Sequence, residues 1–307
     1  MIEPTTVPAV RARKAPPGAG SNGSAEPLVM VTAYDAPTAR IADGAGVDMI
    51  LVGDSVAMVV LGHDDTLQVT MDDMVHHTAA VARCRTRALL VADLPWLSYH
   101  LSAPDTVGNA GRLMRCGARA VKLEGGRKRV PMVSALVNAE IPVMGHVGLT
   151  PQSVHVTGGY GVQARSEAEA RTVVDDAVAL ADAGCFAIVV ESVPDAVARM
   201  VTEAVPVPTI GIGAGPGCDG QVLVLHDLLG LDGGTAPRFA RRYADLEATA
   251  VVAVAEYAAD VRGRRFPSEE ETYHLLERGD RFDGPGPPAP QGDASANHDA
   301  STNHGAG

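Results

Sequence analysis

Apolar and polar residues alternate along this chain in blocks rather than one by one. Short runs dominated by Val, Ile, Leu and Ala occur at 28–33 (LVMVTA), 48–53 (DMILVG), 88–94 (ALLVADL), 118–124 (ARAVKLE), 141–147 (IPVMGHV), 186–191 (FAIVVE), 207–212 (VPTIGI) and 221–226 (QVLVLH). Runs this short and this continuous predict parallel strands covered on both faces. Between most of them the apolar positions recur at helical spacing, over Ala36–Gly46, Met71–Arg83, Ala103–Cys116, Glu167–Gly184 and Asp195–Ala204. Thr70 before MDD and Ser166 before EAEA supply N-caps, while Gly46, Gly117 and Gly184 mark helix ends just ahead of the next strand. Eight strands with intervening helices predict a (β/α)8 TIM barrel; a doubly wound sheet is the alternative, and the last unit is the least clearly marked. A further helical segment over Pro237–Arg265 presents an Ala/Val face (Ala248, Val251, Val252, Ala255) that calls for a partner such as another subunit.

Composition bounds this picture at its ends. Residues 1–26 are rich in Pro, Gly, Ala and Ser, with a basic patch at Arg11, Arg13 and Lys14, and 279–307 are rich in Gly, Pro, Asp and Asn. Neither holds enough apolar surface to offset ordering, so both are expected to be disordered tails around a barrel domain at 27–278 with its C-terminal helical segment. The formal net charge of −12 argues against nucleic acid or an anionic membrane surface as the main partner. MIEPTTVPAV lacks the apolar core of a secretory signal, and no apolar stretch approaches the ~20 residues of a membrane span. Cys84, Cys116, Cys185 and Cys218 are scattered without a CxxC pair, which fits small apolar residues in a reducing cytoplasm.

Four of the apolar runs end in an acid: Asp54 in LVGDS, Asp93 in VADLP, Glu124 in VKLEGG and Glu191 in VVES. In β/α folds the chemistry gathers at that edge. Asp54, Asp93 and Glu124 suit a hard divalent ion such as Mg²⁺, with Glu124 binding directly or through water. The competing reading makes each acid a helix cap or an Arg partner. Lys122 shares a strand face with Glu124, and the chain's 25 basic residues include only three lysines, Lys14, Lys122 and Lys128. It is suited to a substrate carboxylate or a developing oxyanion, or else to a structural salt bridge with Glu124 or Asp93. Glu191 is a candidate general base against an apolar wall, or a partner of the turn before Pro194. His146 is a candidate substrate contact or simply a packed histidine. Tyr34, Asp35 and Ser55 fall at the same mouth. The GIGAG run at Gly211–Gly215 resembles a phosphate-cradling turn, and His76–His77 and Arg127–Arg129 read as solvated helix surface.

The ordered strings VTAYDAPTARIAD, LVGDSVAMVVLGHDDTLQVTMDDMVHHTAAV, VADLPW, AVKLEGG, GHVGLTPQSVHVTGGYGVQAR and IGIGAGPGCDGQVLVLHDLLGL closely resemble the ketopantoate hydroxymethyltransferase family, from about Leu28 to Pro267. The resemblance implies a barrel of the phosphoenolpyruvate/pyruvate-utilising type, assembled as a homo-oligomer, commonly a homodecamer. It implies transfer of a hydroxymethyl group from 5,10-methylenetetrahydrofolate to 3-methyl-2-oxobutanoate through a Mg²⁺-stabilised enolate, giving 2-dehydropantoate at the start of pantothenate and coenzyme A synthesis. It makes Asp54 a metal ligand, Ser55 a substrate contact, Asp93 the second ligand, Lys122 substrate-binding, Glu124 metal-associated and Glu191 the proton acceptor, with His146 near the pocket. Gly161 and Ala164 depart from the family pattern, as does Glu271. They leave room for a relative that takes another 2-oxo acid. Two further readings are a Mg²⁺-dependent C–C lyase on the same barrel, whose KKCGH-like loop is missing from this sequence, and a catalytically silent barrel, which has no use for so many buried acids.

Overall fold

The computed structural model describes residues 3–14, 26–234 and 236–274. Eight parallel strands, β1 (Leu28–Thr32), β2 (Met49–Val52), β3 (Leu89–Asp93), β4 (Ala120–Lys122), β5 (Val143–Gly148), β6 (Ala187–Glu191), β7 (Thr209–Ile212) and β8 (Gly220–Leu223), pair in sequential order. β8 returns to β1 and closes a barrel. The helices are α1 (Val7–Arg11), α2 (Ala36–Gly44), α3 (Val56–Val59), α4 (Met71–Ala82), α5 (Ala103–Arg115), α6 (Val130–Asn138), α7 (Val154–Thr157), α8 (Glu167–Asp182), α9 (Asp195–Ala204), α10 (Leu225–Leu229) and α11 (Leu246–Arg262).

Strand residues divide between two cores with the period of two that a pleated strand imposes. Met49, Leu51, Leu89, Val91 and Ala120 point into the barrel. Their sequence neighbours Ile50, Val52, Leu90, Ala92 and Val121 point out and meet the helices. Both faces are therefore apolar, which is why these strands read as unbroken runs rather than alternating ones.

Several elements differ from expectation. The run at 221–226 is a strand only to Leu223, because the chain turns into α10 at Leu225, whose backbone N–H donates to Thr32 Oγ1 at 3.0 Å. No helix lies between β7 and β8, so the weakly marked last unit is abbreviated. The C-terminal helix starts at Leu246 rather than Pro237; the preceding segment is non-helical and is held by a Tyr243 N–H to Leu228 carbonyl bond of 2.8 Å. Arg127–Arg129, expected as solvated helix surface, form a 3₁₀ turn that leads into α6, a helix not anticipated from the sequence.

The largest correction is at the N-terminus, where residues 3–14 are ordered rather than part of a tail. Thr6 caps α1, and Val10 is fully buried among Leu28, Met30, Met49 and Leu89 at the strands' N-terminal ends. Lys14 Nζ pairs with Asp219 Oδ2 at 3.0 Å, and the Thr5 N–H donates to the Arg87 carbonyl at 2.8 Å. One valine per turn is enough here, because the open barrel floor supplies the apolar surface that the segment lacks. Residues 15–25 and the expected C-terminal tail from 279 lie outside the described residues.

Contacts divide the chain into two units, Met1–Val251 with the barrel and a second beginning at Val252. In the second, the Tyr257 ring stands edge-on to Phe266 at 5.3 Å and Ser268 caps a short turn at Glu269–Glu271. Among the described residues no helix is long and apolar enough to cross a membrane.

Candidate active site

At the C-terminal end of the barrel the strands open into a cavity of about 640 Å³. Asp54, Ser55, Asp93, Lys122, Glu124, His146 and Glu191 all line it, so the structure brings the sequence-predicted residues together. β2 ends at Val52, and Gly53 must be small: a Cβ there would lie 2.9 Å from Ser55 Oγ. The turn lets the Asp54 N–H donate to Asp93 Oδ2 at 3.1 Å. Ser55 Oγ lies 2.8 Å from the Tyr34 hydroxyl, which fixes its direction.

Asp93 and Lys122 are register partners on β3 and β4, and Lys122 Nζ lies 3.0 Å from Asp93 Oδ1. The salt bridge that was one alternative reading of Lys122 is therefore present, inside the cavity. Glu124 Oε2 accepts from the Gln152 N–H at 3.1 Å, and Glu124 Oε1 lies 3.6 Å from His146 Nδ1. His146 Nδ1 is also 3.3 Å from Lys122 Nζ, while its Nε2 lies 3.2 Å from Glu191 Oε2. Glu191 thus faces an imidazole, not the apolar wall anticipated for it, because strand neighbours far apart in sequence meet at the barrel mouth.

Burial governs the electrostatics. It raises the Asp54 carboxyl well above the ordinary range, helped by the charges of Asp93 and Glu124. Burial also raises Asp93, against the opposing pull of Lys122. For Lys122 burial works downward, but Asp93, Glu124 and Asp54 outweigh it and hold the ammonium above its usual value. Glu124 ends below the ordinary range, since His146, Lys122 and the Gln152 N–H overcome its burial. His146 is pushed up to about 9: burial and Lys122 oppose the charge, and the flanking Glu124 and Glu191 prevail. The two flanking carboxylates thus favour the charged form of the ring, and the neighbouring Lys122 ammonium opposes it.

Asp54, Asp93, Glu124 and Glu191 thus crowd four carboxyl groups around Lys122 and His146 at one cavity. Asp93 Oδ1 is buried without a well-aligned hydrogen bond, and Asp54 Oδ1 accepts none among the described residues. These hard, under-used oxygens fit Mg²⁺, which takes few protein ligands and fills its octahedron with water and substrate oxygens. No three side chains among the described residues form a ready-made ligand cluster, so the expected three-carboxylate set is not preassembled. Each of the three acids already has a protein partner: Gln152 on Asp54, Lys122 on Asp93, and Gln152 with His146 on Glu124.

A family model described as ketopantoate hydroxymethyltransferase matches residues 19–269. Proteins named 3-methyl-2-oxobutanoate hydroxymethyltransferase from Moorella thermoacetica (strain ATCC 39073 / JCM 9320) and Methylobacterium sp. (strain 4-46) are each 59% identical. The alignments cover 81% of this chain and 93% and 87% of those proteins. The chain belongs to the ketopantoate hydroxymethyltransferase family. The barrel is also similar to 2,3-dimethylmalate lyase, a PEP mutase/isocitrate lyase superfamily member, with a TM-score of 0.55 and 18% identity over 89% of this chain and 92% of that one. That likeness concerns the fold alone and agrees with the expected barrel type.

Within this family framework some readings need revision. Asp35 points away from the chemistry, as N-cap of α2 with a capping box to Thr38. The GIGAG glycines make room for packing: a Cβ at Gly213 would strike the Phe239 ring at 2.8 Å and one at Gly215 would strike Asp195 at 2.6 Å. His77 is not simply solvated, since its Nδ1 lies 2.8 Å from the Tyr34 carbonyl, and Arg129 sits over the Tyr99 ring at 5.3 Å. Tyr99 and Gln152 were not anticipated. The Tyr99 hydroxyl donates to Gln152 Oε1 at 2.6 Å, and Gln152 Nε2 donates to Asp54 Oδ2 at 2.8 Å and to the Leu94 carbonyl at 3.0 Å. The polar Gln152 in the otherwise tightly turned GLTPQS string was the only available signal.

Proposed function

We propose that this protein transfers a hydroxymethyl group from 5,10-methylenetetrahydrofolate to 3-methyl-2-oxobutanoate, giving 2-dehydropantoate, the first step of pantothenate biosynthesis. The observation that carries the reading is the convergence of Asp54, Asp93, Lys122 and Glu191 on one cavity in a chain of this family. Asp54 and Asp93 would hold Mg²⁺ directly, with Glu124 associated through water. Mg²⁺ bound there supplies Lewis acidity to the keto oxygen of the substrate, which acidifies the hydrogen on C3.

The chain's own residues do the rest. Lys122 sets its ammonium against the substrate carboxylate. Ser55, aimed by Tyr34, donates a hydrogen bond to the same small acid. Glu191 takes the C3 proton, leaving the electron pair that bonds to the one-carbon unit. Water supplies the hydroxyl oxygen of that unit, both C–N bonds of the methylene break, and the two folate nitrogens leave as N–H with the C3 proton and one proton of that water. His146 contacts the substrate and orients the Glu191 carboxylate through Nε2. The cavity walls at Leu51, Val189 and Ile212 supply an apolar surface for the branched end of the keto acid.

Turnover of 3-methyl-2-oxobutanoate and methylenetetrahydrofolate to 2-dehydropantoate by the purified full chain is the direct test, run beside a panel of 2-oxo acids. A higher kcat/KM for another acid would replace the substrate, and no one-carbon transfer to any of them would overturn the reading. We also infer a cytoplasmic homo-oligomer, of decamer size by family resemblance, supported by Val251, Val252, Val254 and Tyr257 of α11 being more than half exposed. Sedimentation as a monomer at micromolar concentration would refute that assembly.

A further inference from the structure

The chemistry described so far occupies one side of the barrel mouth, at the ends of β2 to β6. The cavity continues past β7 to the far side, where Asp227 lines it just beyond β8. Barrel order puts β7 on one flank of that position and β1 on the other, so Asp227 stands apart from the proposed metal and proton-transfer groups. At about 640 Å³ the cavity is of a size that takes a drug-sized ligand, roughly 300–1,000 Å³, far more than a small branched keto acid needs.

Asp227 is only 8% exposed, yet among the described residues its carboxylate accepts no hydrogen bond and joins no ion pair. Its nearby acid, Asp232, is paired with Arg242 and cannot neutralise it. Burial, reinforced by Asp232, raises the Asp227 carboxyl to about 6. A buried, unpartnered carboxylate is costly unless something completes it. An ionised carboxylate only accepts, so its complement must offer donors, and two parallel N–H groups fit it best.

The surroundings restrict that complement further. Leu231, Pro237 and Phe239, which follow Asp227 in the chain, line the same cavity, and Phe239 is partly exposed. Gly213 is left-handed at φ 61°, and no side chain would fit between it and the Phe239 ring. An apolar wall with an aromatic ring, beside an acid that has no partner of its own, describes a slot for a flat heterocycle that carries a donor pair on one edge.

We propose that Asp227 is the specificity-determining acid for the one-carbon donor, accepting the N3–H and 2-amino N–H of its reduced pterin ring while Phe239 packs against the ring. This rests on the folate reading above and adds the residue that reads the ring. The benzoyl-glutamate end, being anionic, is directed away from Asp227 toward solvent.

The test is calorimetric titration of the full chain, loaded with Mg²⁺ and 3-methyl-2-oxobutanoate, with tetrahydrofolate and with its 2-desamino analogue. Asp227→Asn is expected to weaken tetrahydrofolate binding about 10- to 100-fold, as loss of hydrogen bonds to a charged acceptor does, while affinity for the keto acid stays within about twofold. Wild type should bind the 2-desamino analogue about tenfold more weakly than tetrahydrofolate, and Asp227→Asn should not distinguish the two. Should the variant fail to fold, the analogue pair on wild type alone decides. Equal binding of tetrahydrofolate by wild type and variant, or no discrimination by wild type, would overturn the role of Asp227 and leave the transferase reading standing. Failure of wild type to bind tetrahydrofolate at all would overturn the folate reading itself.

Discussion

The amide of Gln152 reaches two carboxylates at once, from its side chain to Asp54 and from its backbone to Glu124. The Leu94 carbonyl, which can only accept, fixes which end of that amide is the donor, and the Tyr99 hydroxyl then donates to Gln152 Oε1. With Gln152 Nε2 on Oδ2, the other oxygen of Asp54 is left for a cation. Gln152→Met, similar in size but without the amide, should weaken Mg²⁺ binding about 10- to 100-fold in a calorimetric titration while the thermal midpoint falls only modestly. Asp227 gives a second expectation at this scale. Its carboxyl pKa is about 6 in the fold and 3.8 by its ordinary value, so between those pH values the folded state binds more protons than the unfolded one. Stability is therefore lost as pH rises through that window, and the loss is complete above it. Asp227→Asn should raise the thermal midpoint near pH 8 and change it little near pH 4. A variant less stable at pH 8 would show that the carboxylate has a structural partner.

Among the elements, the strands were the most legible, because burial on both faces writes each of them as a continuous apolar run. The acid that closes a run was legible for the same reason: Asp54, Asp93, Glu124 and Glu191 break the pattern where the core ends. What those acids touch was not legible. The contacts of Glu191 with His146 and of Glu124 with Gln152 join β5 to β6 and β4 to the segment after β5, and local sequence carries no record of them. Ala164 shows the reverse, a departure whose cost is visible only in the fold, since it sits at φ 57° in the left-handed region where glycine is at ease. α1 was misread because composition averages over a segment, whereas docking needed only Val10 and Lys14. Lys14 and Asp219 have side chains 15% and 2% exposed, so Lys14→Met removes the ammonium from a buried carboxylate that keeps its hydrogen bonds from the Thr209 N–H and hydroxyl. Urea unfolding should show a loss of roughly 1–3 kcal/mol, with activity per folded molecule retained because the pair lies at the floor of the barrel. An unchanged midpoint would mean that α1 is ornamental.

Across the whole molecule, the barrel separates stability from chemistry. Val10, Lys14 and the inner core hold the N-terminal ends of the strands, while the charged groups sit at the opposite ends around the cavity. That division lets four acids, a lysine and a histidine share a buried site without unravelling it. It also means that the central claim, metal-assisted removal of the C3 proton by Glu191, can be tested without the one-carbon donor. Incubation of the full chain with 3-methyl-2-oxobutanoate in deuterated water, followed by NMR at C3, should show exchange that requires Mg²⁺. Glu191→Gln should slow that exchange by about 10²- to 10⁴-fold while the keto acid still binds. Exchange that continues at the wild-type rate in Glu191→Gln, or that proceeds equally well without a divalent ion, would contradict the account.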